Sequence, residues 1–93
     1  MSYRVALSPL ARKRLASLPK PTQHAIVEHL AALERDPCAV TTEELTGDLK
    51  GLRKVRVGRY RVVYEVAGTE RVVRVATIGH RRMVYKEMRR LRR

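Results

Sequence analysis

The chain has 93 residues, of which 21 are Lys or Arg and 9 are Asp or Glu, so its formal net charge at pH 7 is +12. This length predicts a single domain over residues 1–93 with a modest core. The only cysteine, Cys38, excludes an internal disulfide and any cysteine-based metal site.

The positive charge is concentrated in the second half of the chain. Residues 51–93 contain 14 Lys or Arg and 3 acids, whereas residues 1–50 contain 7 Lys or Arg and 6 acids. Charged side chains lie mostly on the surface, and a surface with this excess of positive charge indicates a polyanionic partner. No segment approaches the roughly 18 apolar residues that a membrane span requires, and the first residues lack the apolar core of a signal peptide. We therefore expect a cytoplasmic protein with no membrane partner.

The first part of the chain predicts a strand followed by a helical hairpin. Tyr3 to Leu7 alternates and is rich in strand-forming residues. Ser8, followed by a proline, is typical of a helix N-cap, and Pro19 and Pro21 are expected to end that helix. Thr22 can cap a second helix, which we expect to end at Asp36-Pro37.

The second part predicts a loop, three strands and a short helix. Residues 39–48 are predicted to form a polar loop that can contain one helical turn at 42–45. Three alternating runs separated by glycines are interpreted as strands and the last segment as a terminal helix, at 52–57, 59–66, 70–78 and 81–91. The order β-α-α-β-β-β-α with short connections predicts an α+β domain, in which an antiparallel sheet carries its helices on one face.

Alternation within the predicted strands collects basic residues on one face of the sheet. If the valines and tyrosines of the two central strands face the helices, the basic side chains emerge on the other face, with Arg74 able to join them from the last strand. Like charges at this spacing are costly unless an anion binds. The residues expected to contact a nucleic acid are Arg53, Arg56, Arg59, Arg74, Arg82 and Lys86.

The junction after the last strand adds groups that could bind a single-stranded nucleic acid. His80 and Arg81 follow that strand, and Tyr85 lies one helical turn beyond Arg81. A tyrosine beside an arginine can stack on a base while the arginine holds a phosphate. These residues alone favour binding over catalysis. The terminal run from Arg89 to Arg93 is expected to be a solvated tail attracted to rRNA.

Six fragments, in this order and spacing, resemble the RelE/ParE superfamily of toxins from bacterial type II toxin–antitoxin pairs. They span almost the whole chain and are Leu7–Ala11, Leu18–Lys20, Leu33–Pro37, Leu49–Leu52, Arg56–Tyr64 and Ile78–Tyr85. The resemblance implies the RelE-like, microbial RNase-type fold. Its RelE-type members are metal-free endoribonucleases that cut mRNA in the ribosomal A site, where the 2′-hydroxyl attacks the adjacent phosphate.

The resemblance also implies roles for individual residues, with no metal and no cofactor. Lys54 is the expected base for the 2′-hydroxyl and Arg61 the expected phosphate-stabilising group. Arg81 is expected to stabilise the phosphate or protonate the leaving group, and Tyr85 to stack on or orient the substrate. His80 is a secondary acid/base candidate. Where the RelE pattern has a second lysine, two residues before Lys54, this chain has Leu52.

Three functions remain open from the sequence. The first is a ribosome-dependent mRNA interferase, a translation inhibitor whose partners are the ribosome with its mRNA and rRNA and an acidic cognate antitoxin. The second is a ParE-type DNA gyrase inhibitor without nuclease activity, an alternative that Leu52 keeps open. The third is a basic nucleic-acid-binding module without catalysis.

Overall fold

The computed structural model describes residues 3–38 and 42–91, so part of the predicted polar loop and the end of the basic tail lie outside the described residues. Five strands and three helices are present in this part of the chain, together with a 3-10 turn at Gly47–Leu49. In chain order the strands and helices are β1 (Arg4–Leu7), α1 (Pro9–Ser17), α2 (Lys20–Arg35), β2 (Glu43–Glu44), β3 (Arg53–Val57), β4 (Tyr60–Ala67), β5 (Val72–His80) and α3 (Arg81–Leu91). The predicted α+β class and the order of the main elements are confirmed.

The two helices of the hairpin begin in different ways. Ser8 is the N-cap of α1, and its hydroxyl accepts a hydrogen bond of 3.0 Å from the backbone N–H of Ala11. Helix α2 begins at Lys20, with Pro19 as an N-cap that makes no side-chain capping bond. The predicted cap at Thr22 was therefore wrong. Pro21 belongs to the first turn of α2, where a missing N–H removes no intrahelical hydrogen bond.

The sheet is mixed, with the strand order β1-β5-β4-β3-β2. The pairs from β2 to β5 are antiparallel, as predicted, but β1 pairs with β5 in parallel, from Arg4 beside Val72 to Leu7 beside Val75. The expectation of a wholly antiparallel sheet was wrong for this strand. No tight turn joins β1 to β5, because the hairpin and three strands separate them in sequence, so their relative direction is not dictated locally.

Two further details of the sequence prediction are corrected. Where one helical turn was expected at 42–45, Glu43–Glu44 forms a short edge strand against β3, and the turn lies later, at Gly47–Leu49. The sheet also carries helices on both faces, because α3 packs on the face opposite to the hairpin. A bulge between Val63 and Tyr64 interrupts the register of β4 against β5.

Each face of the sheet has its own apolar cluster. The larger cluster joins the hairpin to the sheet and includes Ile26, Leu33 and Tyr64. The smaller cluster, under α3, consists of Leu45, Leu49, Leu52, Val63, Val84 and Met88. Val63 belongs to this second cluster, so the basic face is not entirely polar: it is apolar under α3 and charged beside it.

Helices α1, α2 and α3 are each too short or too polar to cross a membrane, within the described residues. Over the same part of the chain, no group of three or more His, Cys, Asp or Glu side chains is arranged so that it could hold a metal ion.

Candidate functional site

A basic cleft lies beside α3, on the face of the sheet opposite to the helical hairpin. Its volume is about 650 Å³. Strands β3 and β4, the turn between them, the last residue of β5 and the start of α3 contribute its lining: Arg56, Gly58, Arg59, Arg61, His80, Arg81, Arg82 and Met83. Five of these eight residues are arginines and none is acidic. This composition provides a high positive potential that attracts an anion.

Arg61 forms the floor of the cleft and is almost fully buried. It lies directly opposite Arg56 in the β3–β4 register, which puts both side chains on the same face. Only 5% of Arg61 is exposed, and its Nη1 donates a hydrogen bond of 3.2 Å to the backbone carbonyl of Tyr60. A guanidinium held in this way is pre-organised for a phosphate, which it can bind with two parallel hydrogen bonds.

Lys54 and Tyr85 meet at the edge of the cleft, outside its lining, and Lys54 lines a smaller neighbouring cavity that also includes Arg56 and Arg61. Lys54 lies on β3, two residues before Arg56, and its Nζ donates a hydrogen bond of 2.8 Å to the Tyr85 hydroxyl on α3. The same nitrogen lies 5.2 Å from the centre of the Tyr85 ring, so it approaches the ring from its hydroxyl end. The structure thus brings together an amine and a phenol that the sequence places 31 residues apart.

Glu43 is a residue of this region that the sequence reasoning missed. It pairs with Lys54 across β2 and β3, and its Oε2 lies 3.6 Å from Lys54 Nζ, while 77% of its side chain is exposed. Together they line a cavity of about 70 Å³ that shares Arg56 and Arg61 with the cleft. An exposed ion pair of this kind contributes little to stability. Two consecutive acids in an otherwise polar loop were the only sequence signal for it.

His80 stands at the rim of the cleft and is supported by Tyr60. The two residues are opposite each other in the β4–β5 register, and their ring centres are 5.0 Å apart with a tilt of 57°. His80 is exposed, whereas Tyr60 is partly buried. The imidazole can therefore reach a ligand in the cleft while it keeps an aromatic contact with Tyr60.

Three of the residues expected to bind a nucleic acid do not line the cleft. Arg53 is tied to Thr42, with its Nε 2.9 Å from the Thr42 hydroxyl. Arg74 pairs with Glu70 at 2.7 Å and with Glu65 at 3.7 Å, so it does not join the cations of β3 and β4. Lys86 is exposed on α3, outside the cleft lining.

Other predicted residues do meet, and one departure from the RelE pattern has a structural explanation. Arg56, Arg59, Arg61, Arg81 and Arg82 converge on the cleft with His80. The position where the RelE pattern has a second lysine is held here by Leu52, which is buried in the apolar cluster under α3 and packs against that helix. Arg89 and Arg90, from the expected basic tail, are exposed residues of α3, whereas the last two arginines of that tail lie outside the described residues.

The arrangement can bind a phosphodiester and offers groups for proton transfer next to it. Arg61 and Arg81 provide fixed positive charge inside the cleft, and Lys54 with Tyr85 adds an amine and a hydroxyl at its edge. Charge stabilisation and a positioned proton acceptor are the two requirements for attack of a 2′-hydroxyl on the neighbouring phosphate.

Comparisons with known proteins agree with this fold and point to one family. A family model described as the ParE toxin of the type II toxin–antitoxin system parDE matches residues 5–85. No curated protein matches the sequence significantly.

Solved structures give the same result. A chain of the toxin–antitoxin complex RelBE2 from Mycobacterium tuberculosis is similar at 30% identity and a TM-score of 0.77, over 87% of this chain and 100% of that one. A chain of the archaeal RelE–RelB complex from Pyrococcus horikoshii OT3 is similar at 35% identity and a TM-score of 0.71, over 87% and 97% of the two chains.

A third solved structure extends the likeness of fold to another named group of toxins. The YoeB/ParE toxin from Agrobacterium tumefaciens shares the fold at 19% identity and a TM-score of 0.73, over 83% of this chain and 96% of that one. The family match covers most of the described residues, and two of these structures are at least 30% identical to the chain. The chain therefore belongs to the RelE/ParE superfamily and is a toxin of a type II toxin–antitoxin system.

Proposed function

We propose that the protein is a ribosome-dependent endoribonuclease that cuts mRNA in the A site and thereby inhibits translation. The observation that carries this proposal is the hydrogen bond between Lys54 and Tyr85 at the edge of a cleft with Arg61 on its floor. A surface that only binds RNA has no need for an amine paired with a phenol beside a buried guanidinium. A phosphoryl-transfer site requires a proton acceptor and fixed positive charge, and these groups can supply both.

In this proposal the reaction proceeds by attack of the 2′-oxygen on the adjacent phosphorus. Lys54, as the free amine, accepts the 2′-hydroxyl proton while Tyr85 orients it. Arg61 and Arg81 stabilise the charge that develops on the phosphorane oxygens. The bond from phosphorus to the 5′-oxygen breaks, leaving a 2′,3′-cyclic phosphate and a 5′-hydroxyl whose proton comes from His80 or Arg81. No metal or cofactor enters this scheme.

The same charges suit a protein partner that keeps the toxin inactive. Similar chains occur in the RelBE2 toxin–antitoxin complex and in the archaeal RelE–RelB complex. We propose that a cognate antitoxin presents an acidic segment to the cleft. Such a segment would compete with RNA for the same arginines, because both are polyanions.

The proposal is tested with purified protein, translating ribosomes and a defined mRNA. We expect cuts in phase with codons, leaving 2′,3′-cyclic ends, and we expect these cuts to disappear in Arg61→Ala and Arg81→Ala. Glu28→Gln, at an exposed position on α2, is the control and should cut like the wild type. Intact mRNA with the wild-type protein would contradict the proposal.

The second candidate function is inhibition of DNA gyrase without nuclease activity. Two observations favour it: the matching family model is that of ParE toxins, and Leu52 occupies a position where the RelE pattern has a lysine. Intact mRNA together with accumulation of gyrase-cleaved DNA would support this candidate. Intact mRNA with no effect on gyrase would instead support a basic binding module without catalysis.

A further inference from the structure

The side chain of Arg14 runs from the hairpin face of the sheet, past the uncovered end of β5, to α3 on the other face. Strand β1 covers β5 only as far as Val75. Beyond that point Arg14, in the last turn of α1, reaches around the edge, and its Nη1 lies 3.4 Å from the Ile78 carbonyl oxygen. Gly79 leaves space for this route, because a Cβ there would lie only 3.1 Å from Arg14 Nη1 and 3.2 Å from Val84 Cγ2.

Arg14 forms an ion pair with Glu87 on α3. The guanidinium binds the carboxylate with both terminal nitrogens: Nη1 lies 3.2 Å from Oε1, and Nη2 pairs with Oε2. Oε1 also accepts a hydrogen bond of 3.3 Å from Thr77, which is fully buried. The ion pair is partly shielded from water and bidentate, so it has a directionality that exposed ion pairs lack. Glu87 is the only acid after Glu70 in a segment rich in arginine.

Helix α3 is also held by its connection to β5 and by its apolar side chains. It follows β5 without a loop, and Val84 and Met88 pack on the small apolar cluster. Tyr85 and Glu87 are two residues apart, about 200° around a helix, so they project from opposite sides. Tyr85 binds Lys54 on one side and Glu87 binds Arg14 on the other. A rotation of α3 that broke one contact would displace the other.

We infer that Arg14 and Glu87 are positioning residues that hold α3 so that Tyr85 meets Lys54 and Arg81 faces the cleft. The effect on kcat that we expect from this role rests on the proposed function, because it presupposes that the protein cleaves mRNA. Neither residue lines the cleft or the smaller cavity that Lys54 lines, and Glu87 projects from α3 on the side opposite to Tyr85, so neither is expected to contact RNA. Their effect on the reaction would come from the placement of Tyr85 and Arg81, because small errors in geometry lower the rate more than they weaken binding.

The test compares Glu87→Gln and Arg14→Lys with two exposed control variants, Glu28→Gln on α2 and Arg12→Met on α1. Measurements are kcat and KM on translating ribosomes, the thermal unfolding midpoint, and amide hydrogen exchange along the chain. For Glu87→Gln we expect kcat to fall about tenfold or more, with KM changed by less than about threefold. Amide exchange should accelerate in residues 82–91 but not in β3 and β4. Arg14→Lys should give an intermediate loss, since lysine keeps the charge but not the bidentate geometry.

Two results would overturn the inference. One is an unchanged kcat in Glu87→Gln. The other is a loss of activity that accompanies faster exchange over the whole sheet and a lower unfolding midpoint, which would make the pair a general stabilising contact. If the wild-type protein does not cut mRNA, the proposed function fails instead. Amide hydrogen exchange in α3 is then the only test of the positioning role. An unchanged exchange rate over residues 82–91 in Glu87→Gln would refute that role.

Discussion

The two faces of the sheet use the same strands for different purposes. On the hairpin face, alternate residues of β3, β4 and β5 form a continuous apolar cluster with α1 and α2. On the other face, α3 covers only part of the sheet with a smaller cluster, and the remainder is the basic cleft. One strand therefore supplies Val55 to the core and Lys54 and Arg56 to the candidate site.

This difference shows how a chain of 93 residues can carry a highly charged site. The hairpin face provides most of the apolar burial, which leaves positions on the second face free for cations that would not stabilise a fold by themselves. Arg61 illustrates this relation, because the next residue, Val62, is fully buried in the hairpin-face core while the Arg61 side chain is buried on the cleft side. Substitutions in the hairpin-face core should therefore lower mainly the stability of the protein, whereas substitutions in the basic cleft should lower mainly its activity.

The largest effect is expected from Lys54→Met, which removes the amine at nearly constant side-chain volume. If Lys54 is the base, cleavage of mRNA on the ribosome should fall by about 10²- to 10⁴-fold. The unfolding midpoint should change little, because Lys54 is partly exposed and belongs to neither apolar cluster. Single-turnover cleavage and thermal unfolding provide the two measurements. A fall of less than tenfold would show that another group accepts the proton.

Leu33→Ala on the hairpin face should give the opposite pattern. Leu33 is fully buried in the larger cluster, so the variant should lose about 2–5 kcal/mol of unfolding free energy. Below its unfolding midpoint its cleavage rate should equal that of the wild type. Val27→Ala is the matched control, since Val27 is on the same helix but half exposed, and should lose less than about 0.5 kcal/mol. A comparable loss in both would mean that α2 has another interface.

The sequence was sufficient to predict most of the hairpin-face core and most of the cleft lining, but Val66, which was expected to face the helices, is 37% exposed. Periods of 3.6 and 2 identify which side chains share a face, so α1, α2 and the three long strands could be predicted. The same alternation predicted that Lys54, Arg56 and Arg61 lie together. The parallel pairing of β1 and the contact of Glu43 with Lys54 could not be predicted, because both depend on residues distant in sequence. Arg74 was misplaced because alternation identifies a face but not which carboxylates neutralise the residue.

Leu52→Lys tests whether the second face can accept the lysine of the RelE pattern. Leu52 packs under α3 with Val84 and Met88, so an ammonium there would be buried without a partner. We expect a loss of about 3 kcal/mol in unfolding free energy and no gain in cleavage. Leu52→Met, which conserves volume and polarity, should cost less than about 1.5 kcal/mol. A stable Leu52→Lys protein with faster cleavage would show that this position belongs to the catalytic site.

The smallest expected effect distinguishes charge in the cleft from charge elsewhere. Arg82→Ala and Arg74→Ala lower the net charge equally, but only Arg82 lines the cleft. Arg74 lies six residues before His80 on β5, roughly 20 Å along the strand, and is already paired with two carboxylates.

Binding of a labelled RNA oligonucleotide, measured over a range of salt concentrations, gives the number of phosphates neutralised. For Arg82→Ala the slope of log affinity against log salt should become shallower by about 0.7, the value for one phosphate on a single strand. For Arg74→Ala it should stay unchanged. Equal changes would mean that RNA responds to the total charge of the protein and that the cleft adds no local contact.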